Sequence, residues 1–595
     1  MAAKDLTVPE HRVRCAILHG ATADFCVGQP TEDDPSLGAA WGADRSVRAE
    51  ILSELVMAAR TGDSGRSPAL RVRGARVIGT LDLETASLSC MLLLRDCFFD
   101  QVIHLAEARA PTMRMTGCHV VGLDASRFET QGDLQLDAGF TAREGICLVG
   151  AKIGGQLDLS GAVLGSGAGP ALDADGMTVE RGALFGSGFT SRGEVRLVGA
   201  RLSGQVTFAG AKMSHEDGSA LNADGVTVEQ DLYLGDGFTA RGEVRLVGAR
   251  VKGQLVLDGA ELVNPEANAL DCDKLNAAIG VSCRGLDARG SIRLLGAHIS
   301  GPLSFAGATL SNPGGRALQA DGLAVEEDMF CHNDFAANGE VRLIGARIGG
   351  QLTFGEATLQ NPGGVVLDLE GLQARVLLFR PRLPPVGRVD LTHARVDVFA
   401  DRKASWPDML DLRGFVYNAL YESPSVDVAA RLRWLELDRA GYSPQPYEQL
   451  AAVYRQAGRE DDARRVGIRK QQRRRQDLNW PGKIGNSLLR CTVGYGYRTW
   501  FAGIWLLALT GVGWVMFGLT YPNHFLPSGN PANPRPTFHS AMYTLDLLLP
   551  VVNLRQQEFW IPQGWLSWCV VAFILMGWAL TSAVVAALTG ILRRD

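Results

Sequence analysis

The chain lacks most of what an active site is built from. Its 11 cysteines include no C-x-x-C pair and their number is odd, which excludes a disulfide framework or a zinc ribbon and leaves free thiols suited to a reducing compartment. No G-x-G-x-x-G turn joins a strand to a helix. The nearest string, GSGAGP from Gly165, ends in proline where a repeat corner is due and reads as a turn. Neither sign of charge dominates, with 59 basic and 64 acidic residues, so no global nucleic-acid affinity or DNA mimicry is expected. The opening MAAKDLTVPEHRVRCAILHG has charges through its first dozen residues and no apolar run of secretory type. Whatever precedes the first membrane span is therefore expected in the cytoplasm. No catalytic, cofactor-binding or metal-ligating set stands out.

What is present is glycine, 70 of 595 residues, and a repeat. GEVRLVGARLSGQVTFAGAKM from Gly193 recurs as GEVRLVGARVKGQLVLDGAEL from Gly242, GSIRLLGAHISGPLSFAGATL from Gly290 and GEVRLIGARIGGQLTFGEATL from Gly339. A weaker copy starts at Gly145. The equivalent Leu148, Leu197, Leu246, Leu294 and Leu343 set a period of 48 to 49 residues. Apolar residues within a half-module stand about five apart, as in Leu343, Ile348, Phe354 and Leu359, a spacing that excludes a helix face. Short strands between glycine corners, two coils per module, stack into a solenoid. The GA-x-[IL]-x-G wording resembles a degenerate pentapeptide-repeat protein over about residues 66–400, which implies a right-handed quadrilateral β-helix. Asp175, Asp224, Asp273 and Asp321, with Glu370 in the matching last place, recur in register. A catalytic carboxylate is singular, so these read as turn formers or ladder partners. Arg196, Arg245, Arg293 and Arg342 occupy a second equivalent position, which separates the chain from the acidic DNA mimics of that group.

Residues 1–65 form an expected helical cap, with Val47, Ile51, Leu52, Leu55 and Val56 at helical spacing behind possible caps Asp44 and Ser46. Residues 401–480 read as a helical adaptor. Its hairpin turns at Gly458 and sets Tyr447, Leu450, Ala451, Tyr454 and Ala457 against Ala463 and Val466, in the manner of one tetratricopeptide unit. The end of the hairpin is basic, and Arg469, Lys470, Arg473, Arg474 and Arg475 are assigned to anionic lipid headgroups.

Residues 481–595 form the membrane part, with uncharged spans at about 500–521 and 565–591. Basic residues crowd before the first span, and Arg593 and Arg594 follow the second, so both termini and the solenoid are expected on the cytoplasmic side of a cell membrane. Between the spans, an apolar helix at about 538–554 carries Asp546, which could line a pore in a homo-oligomer. TVGYG at Thr492–Gly496 copies a potassium-filter string, yet it precedes the first span and has no pore helix before it, so it reads as coincidence.

Taken end to end, DLT at Asp5, WGADRSVRAEIL at Trp41, PQPYEQLAAVYR at Pro444, VGYGYR at Val493 and YTLDLLLPVVNL at Tyr543 resemble the actinobacterial proteins labelled membrane-associated oxidoreductases. That resemblance implies a redox activity, for which the residues themselves offer no cofactor motif. The residues favour a membrane-tethered scaffold whose solenoid binds an unidentified protein partner, with an oligomeric channel-like protein as the alternative.

Overall fold

The computed structural model describes residues 6–59, 68–167, 169–186, 188–421, 426–438, 441–477, 500–528 and 537–588. The chain divides into two units. One holds Met1–Asp427 with Glu436–Arg439, the other Val428–Leu435 with Ala440–Asp595.

The first unit is a parallel β-solenoid of about 15 turns. Each coil has four short strands. In one coil these are Thr178–Val179, Ala183–Leu184, Thr190–Arg192 and Val195–Arg196, and every strand pairs in parallel with its equivalent one coil later. Along the first side the register advances from Thr178 to Arg201, Thr227, Arg250 and Asn276. Coils of 23 and 26 residues thus alternate, and together they make the 49-residue module.

The repeat motif is explained position by position. The first glycine of each GA pair turns a corner in the left-handed region, with φ of 65°, 65°, 61° and 62° at Gly199, Gly248, Gly296 and Gly345. The alanine that follows is buried, the next residue points outward, and Leu202, Val251, Ile299 and Ile348 point into the core. The closing glycine answers to a close approach between coils. A Cβ on Gly301 would lie 1.7 Å from the Ile279 carbonyl oxygen, so Gly301→Ala forces two coils apart. The longer coils carry their extra residues between the third and fourth sides. There Asn264, Asn312 and Asn361 each donate to the carbonyl four residues on, at 2.6, 3.0 and 2.7 Å, which closes a compact corner loop. Inside, phenylalanines continue from coil to coil, as where Phe185 and Phe208 stack at 4.5 Å.

Parallel pairing outruns the repeat wording at both ends. Ala23–Asp24 pairs with Val72–Arg73 and Ser46–Arg48 with Arg76–Ile78, while the last coil reaches Tyr421 rather than ending near 400. Ser46 is consequently a strand residue and caps no helix; the helix α2, Ala49–Ala58, has Arg48 at its N-cap with no side-chain cap bond. An earlier helix, α1 at Val8–His19, was not expected. It opens with a capping box between Thr7 and Glu10.

Glu10 is the fixed point of this cap. Fully buried, its carboxylate accepts from Arg48 Nε at 2.7 Å, Arg48 Nη2 at 2.8 Å and the Thr7 amide at 2.8 Å. The Arg48 hydrogen bonds hold its carboxyl down at about 2.

In the second unit, helices α3 (Val428–Leu435), α4 (Pro444–Gln456) and α5 (Glu460–Asp477) form the adaptor. Gly458 turns the α4–α5 hairpin at φ 73°. Tyr447, Leu450, Ala451, Tyr454, Ala463 and Val466 are buried, whereas Ala457, expected among them, is exposed at the turn. Helices α6 (Trp500–Thr520) and α9 (Trp565–Leu588) are long and apolar enough to cross a membrane. Between them stand α7 (Ser540–Leu548), shorter than the expected 538–554, and the single turn α8 (Gln556–Phe559).

Glu10→Gln is expected to loosen the cap by about 1–3 kcal/mol, seen as faster amide exchange over Val8–His19 while the coils stay protected. Because the folded carboxyl sits near 2, below its unfolded value, this stabilisation is complete above about pH 5 and is lost as pH falls toward 2. Exchange over α1 that is indifferent to the substitution would remove Glu10 from this role.

Candidate functional site

The recurring carboxylates are rungs between coils. Asp175 accepts from the Val198 amide at 3.0 Å and from Arg196 Nη2 at 2.5 Å; Asp224 does the same with Val247 at 3.0 Å and Arg245 at 2.7 Å. Asp273 takes the Leu295 amide at 2.9 Å and pairs with Arg293, and Asp321 pairs with Arg342 at 3.1 Å. At Glu370 the series breaks, because Asp390 occupies the register place that arginine holds in earlier modules. Each rung joins two coils, and those at Asp175, Asp224 and Asp273 also satisfy a backbone donor, so both columns are committed to the fold.

Six thiols, those of Cys90, Cys97, Cys118, Cys272, Cys283 and Cys331, are buried in the core, while Cys15 is exposed. Burial pushes Cys118, Cys272, Cys283 and Cys331 well above the ordinary thiol range, and a reactive cysteine is a thiolate. His119 and His332 point outward while Cys118 and Cys331 point inward, as strand alternation requires.

The first side of the solenoid differs. The outward residue of the GA-x motif is Lys152, Arg201, Arg250, His298, Arg347 and, in the degenerate copy THARV, Arg395. Register places all six in one column, alternating with Thr178, Thr227, Asn276, Ala324 and Gln373. Coils stack about 4.8 Å apart, so the cations recur about every 9.6 Å. Lys152 pairs with Glu129 at 3.0 Å and His298 with Glu326 at 3.2 Å. Arg201, Arg250, Arg347 and Arg395 are exposed and have no ion pair or hydrogen bond among the described residues. Two grooves lie on this same side. One of about 370 Å³ runs past Arg109, Glu129 and Lys152, and one of about 620 Å³ past Arg347, Gln373 and Arg395. In the sequence these residues stand inside the repeat beside the more conspicuous arginine column that faces the aspartates; the legible signal is a cation after the first GA of each copy.

In the second unit, α7 lies between the two apolar helices. A Cβ on Gly513 would lie 2.2 Å from Thr544 Cγ2, and one on Gly577 would lie 2.5 Å from the Leu548 carbonyl oxygen. Gly513 is about 10 Å from the Thr520 end of α6 and Gly577 about 18 Å from the Trp565 end of α9, at 1.5 Å per residue. Small residues admit this approach. Phe517, Tyr543, Leu547, Leu566 and Phe573 fill the junction. Asp546 is buried, and its carboxylate accepts from the amides of Leu554 at 2.6 Å, Gln556 at 2.9 Å and Gln557 at 3.0 Å. The segment returning from α7 thus has its free donors satisfied by one side chain.

Within the basic cluster, Lys470 reaches back to Glu448 of α4 at 2.7 Å, and Arg469 donates to Gln472 at 3.4 Å. Arg473 is half-buried and Arg474 exposed. The side chain of Arg475 and the whole TVGYG string lie outside the described residues.

No protein-family model, no curated protein and no solved structure matches the chain.

Asp546→Ala leaves three backbone donors bare and is expected to cost about 2–3 kcal/mol, read as a lower thermal midpoint of the detergent-solubilised protein. A midpoint equal to that of the parent would show that the carboxylate serves something other than this turn.

Proposed function

We propose that the protein is a membrane-tethered scaffold whose solenoid supplies the working surface. The observation that carries this reading is the union in one chain of a 15-turn solenoid, with outward columns in strict register, and two helices fit to cross a membrane. A solenoid offers an extended surface at fixed spacing, and the helices confine it to two dimensions.

The solenoid is assigned to the cytoplasmic side, on the distribution of basic residues around the spans. Arg469, Arg473, Arg474 and Arg475 contact anionic headgroups, while Lys470 is engaged with the hairpin. With both spans crossing, α7 is re-entrant, and Asp546 meets the demand that irregular backbone at membrane depth be hydrogen-bonded. The same placement of α7 supports the second reading, an oligomeric channel-like protein. Because all three bonds of Asp546 stay within the protomer, that reading rests on the helix and not on a free carboxylate. Conductance in planar bilayers decides it.

The scaffold reading is tested by crosslinking membranes that contain the full chain, then purifying it in detergent. A stoichiometric companion is expected, and recovery of nothing beyond a tag-only control would overturn it. For the lipid contact, Arg473→Gln with Arg474→Gln and Arg475→Gln should abolish the preferential retention of phosphatidylglycerol over phosphatidylcholine in native mass spectra, each residue contributing about 1 kcal/mol. An unchanged preference would end that assignment.

A further inference from the structure

We propose that the first side of the solenoid binds a linear acidic polysaccharide, its anionic groups engaged by Arg201, Arg250, Arg347 and Arg395. This deepens the scaffold reading and rests on it, by naming the chemistry of the partner.

Three features of that side select the occupant. The first is geometry. Arg201 and Arg250 stand two coils apart in one column, about 9.6 Å, as do Arg347 and Arg395, and His298, paired with Glu326, holds the place two coils from Arg250 and from Arg347. A rigid comb of this kind fits a polymer with one anion per extended two-unit repeat. The second is the neutral coil between. Thr178, Thr227, Asn276 and Gln373 offer hydroxyls and amides where an uncharged sugar would lie. The third is the mixed charge flanking the column. Two residues further along the strands stand Glu180 and Asp397, with Glu229 paired to Lys252 at 2.5 Å and Arg375 at the same place beside Gln373, a mixed flank suited to exchange hydrogen bonds with sugar hydroxyls and ill matched to a uniformly anionic surface. Both grooves lie on this side, which suits a chain laid along it.

Other polyanions fit less well. Each strand of duplex DNA presents a phosphate every 3.4 Å or so, nearly three per cation interval, and the column holds no Phe, Tyr or Trp on which bases would stack. An anionic bilayer would meet the flanking carboxylates directly.

The test uses the full-length protein in phosphatidylcholine nanodiscs, titrated by calorimetry with hyaluronate, which has one carboxylate per disaccharide. Dextran, single-stranded DNA and phosphatidylglycerol vesicles are the comparison probes. Hyaluronate is expected to bind and dextran not to. Combining Arg201→Gln, Arg250→Gln, Arg347→Gln and Arg395→Gln should weaken binding about tenfold or more, as loss of four exposed ion pairs implies, with an unchanged thermal midpoint. The charge-matched control combines Arg143→Gln, Arg192→Gln, Arg241→Gln and Arg289→Gln, all exposed on the third side; it should stay within about twofold of the parent.

Absence of hyaluronate binding, equal losses in the two variants, or tighter and equally column-dependent binding of DNA or vesicles would each overturn the glycan assignment. Should a protein companion still be recovered from crosslinked membranes in those cases, the scaffold reading stands and only its glycan partner falls. If no companion is recovered either, both fall.

Discussion

The structure depends on parallel hydrogen bonding between successive coils at a fixed spacing of about 4.8 Å. A single coil cannot bury its apolar residues. It sends one side chain inward at each short strand, and only the coils above and below exclude water from that layer. The stack therefore tolerates length, as the 11-residue strands with their closed asparagine corners show, but it does not tolerate a change in spacing. Hence the glycines where coils touch, with Ile279 and Gly301 as the tightest case. Hence also the aspartate and arginine rungs, each tying one coil to the next through an ion pair and, at Asp175, Asp224 and Asp273, through a backbone amide as well. The end of the stack is the weak point. A buried Glu10, saturated by Arg48 and the start of α1, is the means by which the N-terminal end is closed.

Fixed spacing converts sequence period into surface period. A residue type repeated every 49 residues becomes a straight line of side chains two coils apart. Three arginine columns follow this rule, one of them Arg192, Arg241 and Arg289 on the third side, and the other two have opposite consequences. In one, Arg196, Arg245, Arg293 and Arg342 face aspartates and are neutralised within the fold. In the other, Arg201, Arg250, Arg347 and Arg395 face outward, and Arg347 and Arg395 line one of the two grooves. The second unit obeys a different constraint, because irregular backbone packed between two apolar helices must find its hydrogen-bond partners within the chain. There α7 seats itself on glycines of both apolar helices, and Asp546 satisfies the amides of the returning segment.

The solenoid, its two coils per module and the two apolar helices were legible because each is written as periodicity or as an uninterrupted run. The rung role of the aspartates was legible for the same reason, since repetition in register argues against a single reacting group. What escaped was information without a period. Helix α1 has a weak apolar face and is held by one buried carboxylate, which looks like any surface glutamate in the sequence. Ser46 stands before an apolar helical stretch and reads as a cap, yet Ser46–Arg48 adds to the sheet because Arg76–Ile78 offers it an edge. Asp546 reads as a free acid in an apolar helix until its partners eight to eleven residues on are placed against it. The exposed column was visible as the residue after the first GA of each repeat copy, but only the structure shows that Arg201, Arg250, Arg347 and Arg395 have no ion pair or hydrogen bond among the described residues.

Everything claimed for the working surface requires that the GA-x cations form one straight column, and this is open to a direct distance measurement. Spin labels at positions 201 and 395, with exposed Cys15 replaced, are separated by eight coils, so pulsed electron resonance on the full-length protein should give a narrow distribution near 38 Å between backbones, at about 4.8 Å per coil. A broad distribution, or one centred well away from that distance, would contradict the stacking from which the columns, the rungs and the proposed partner surface all follow.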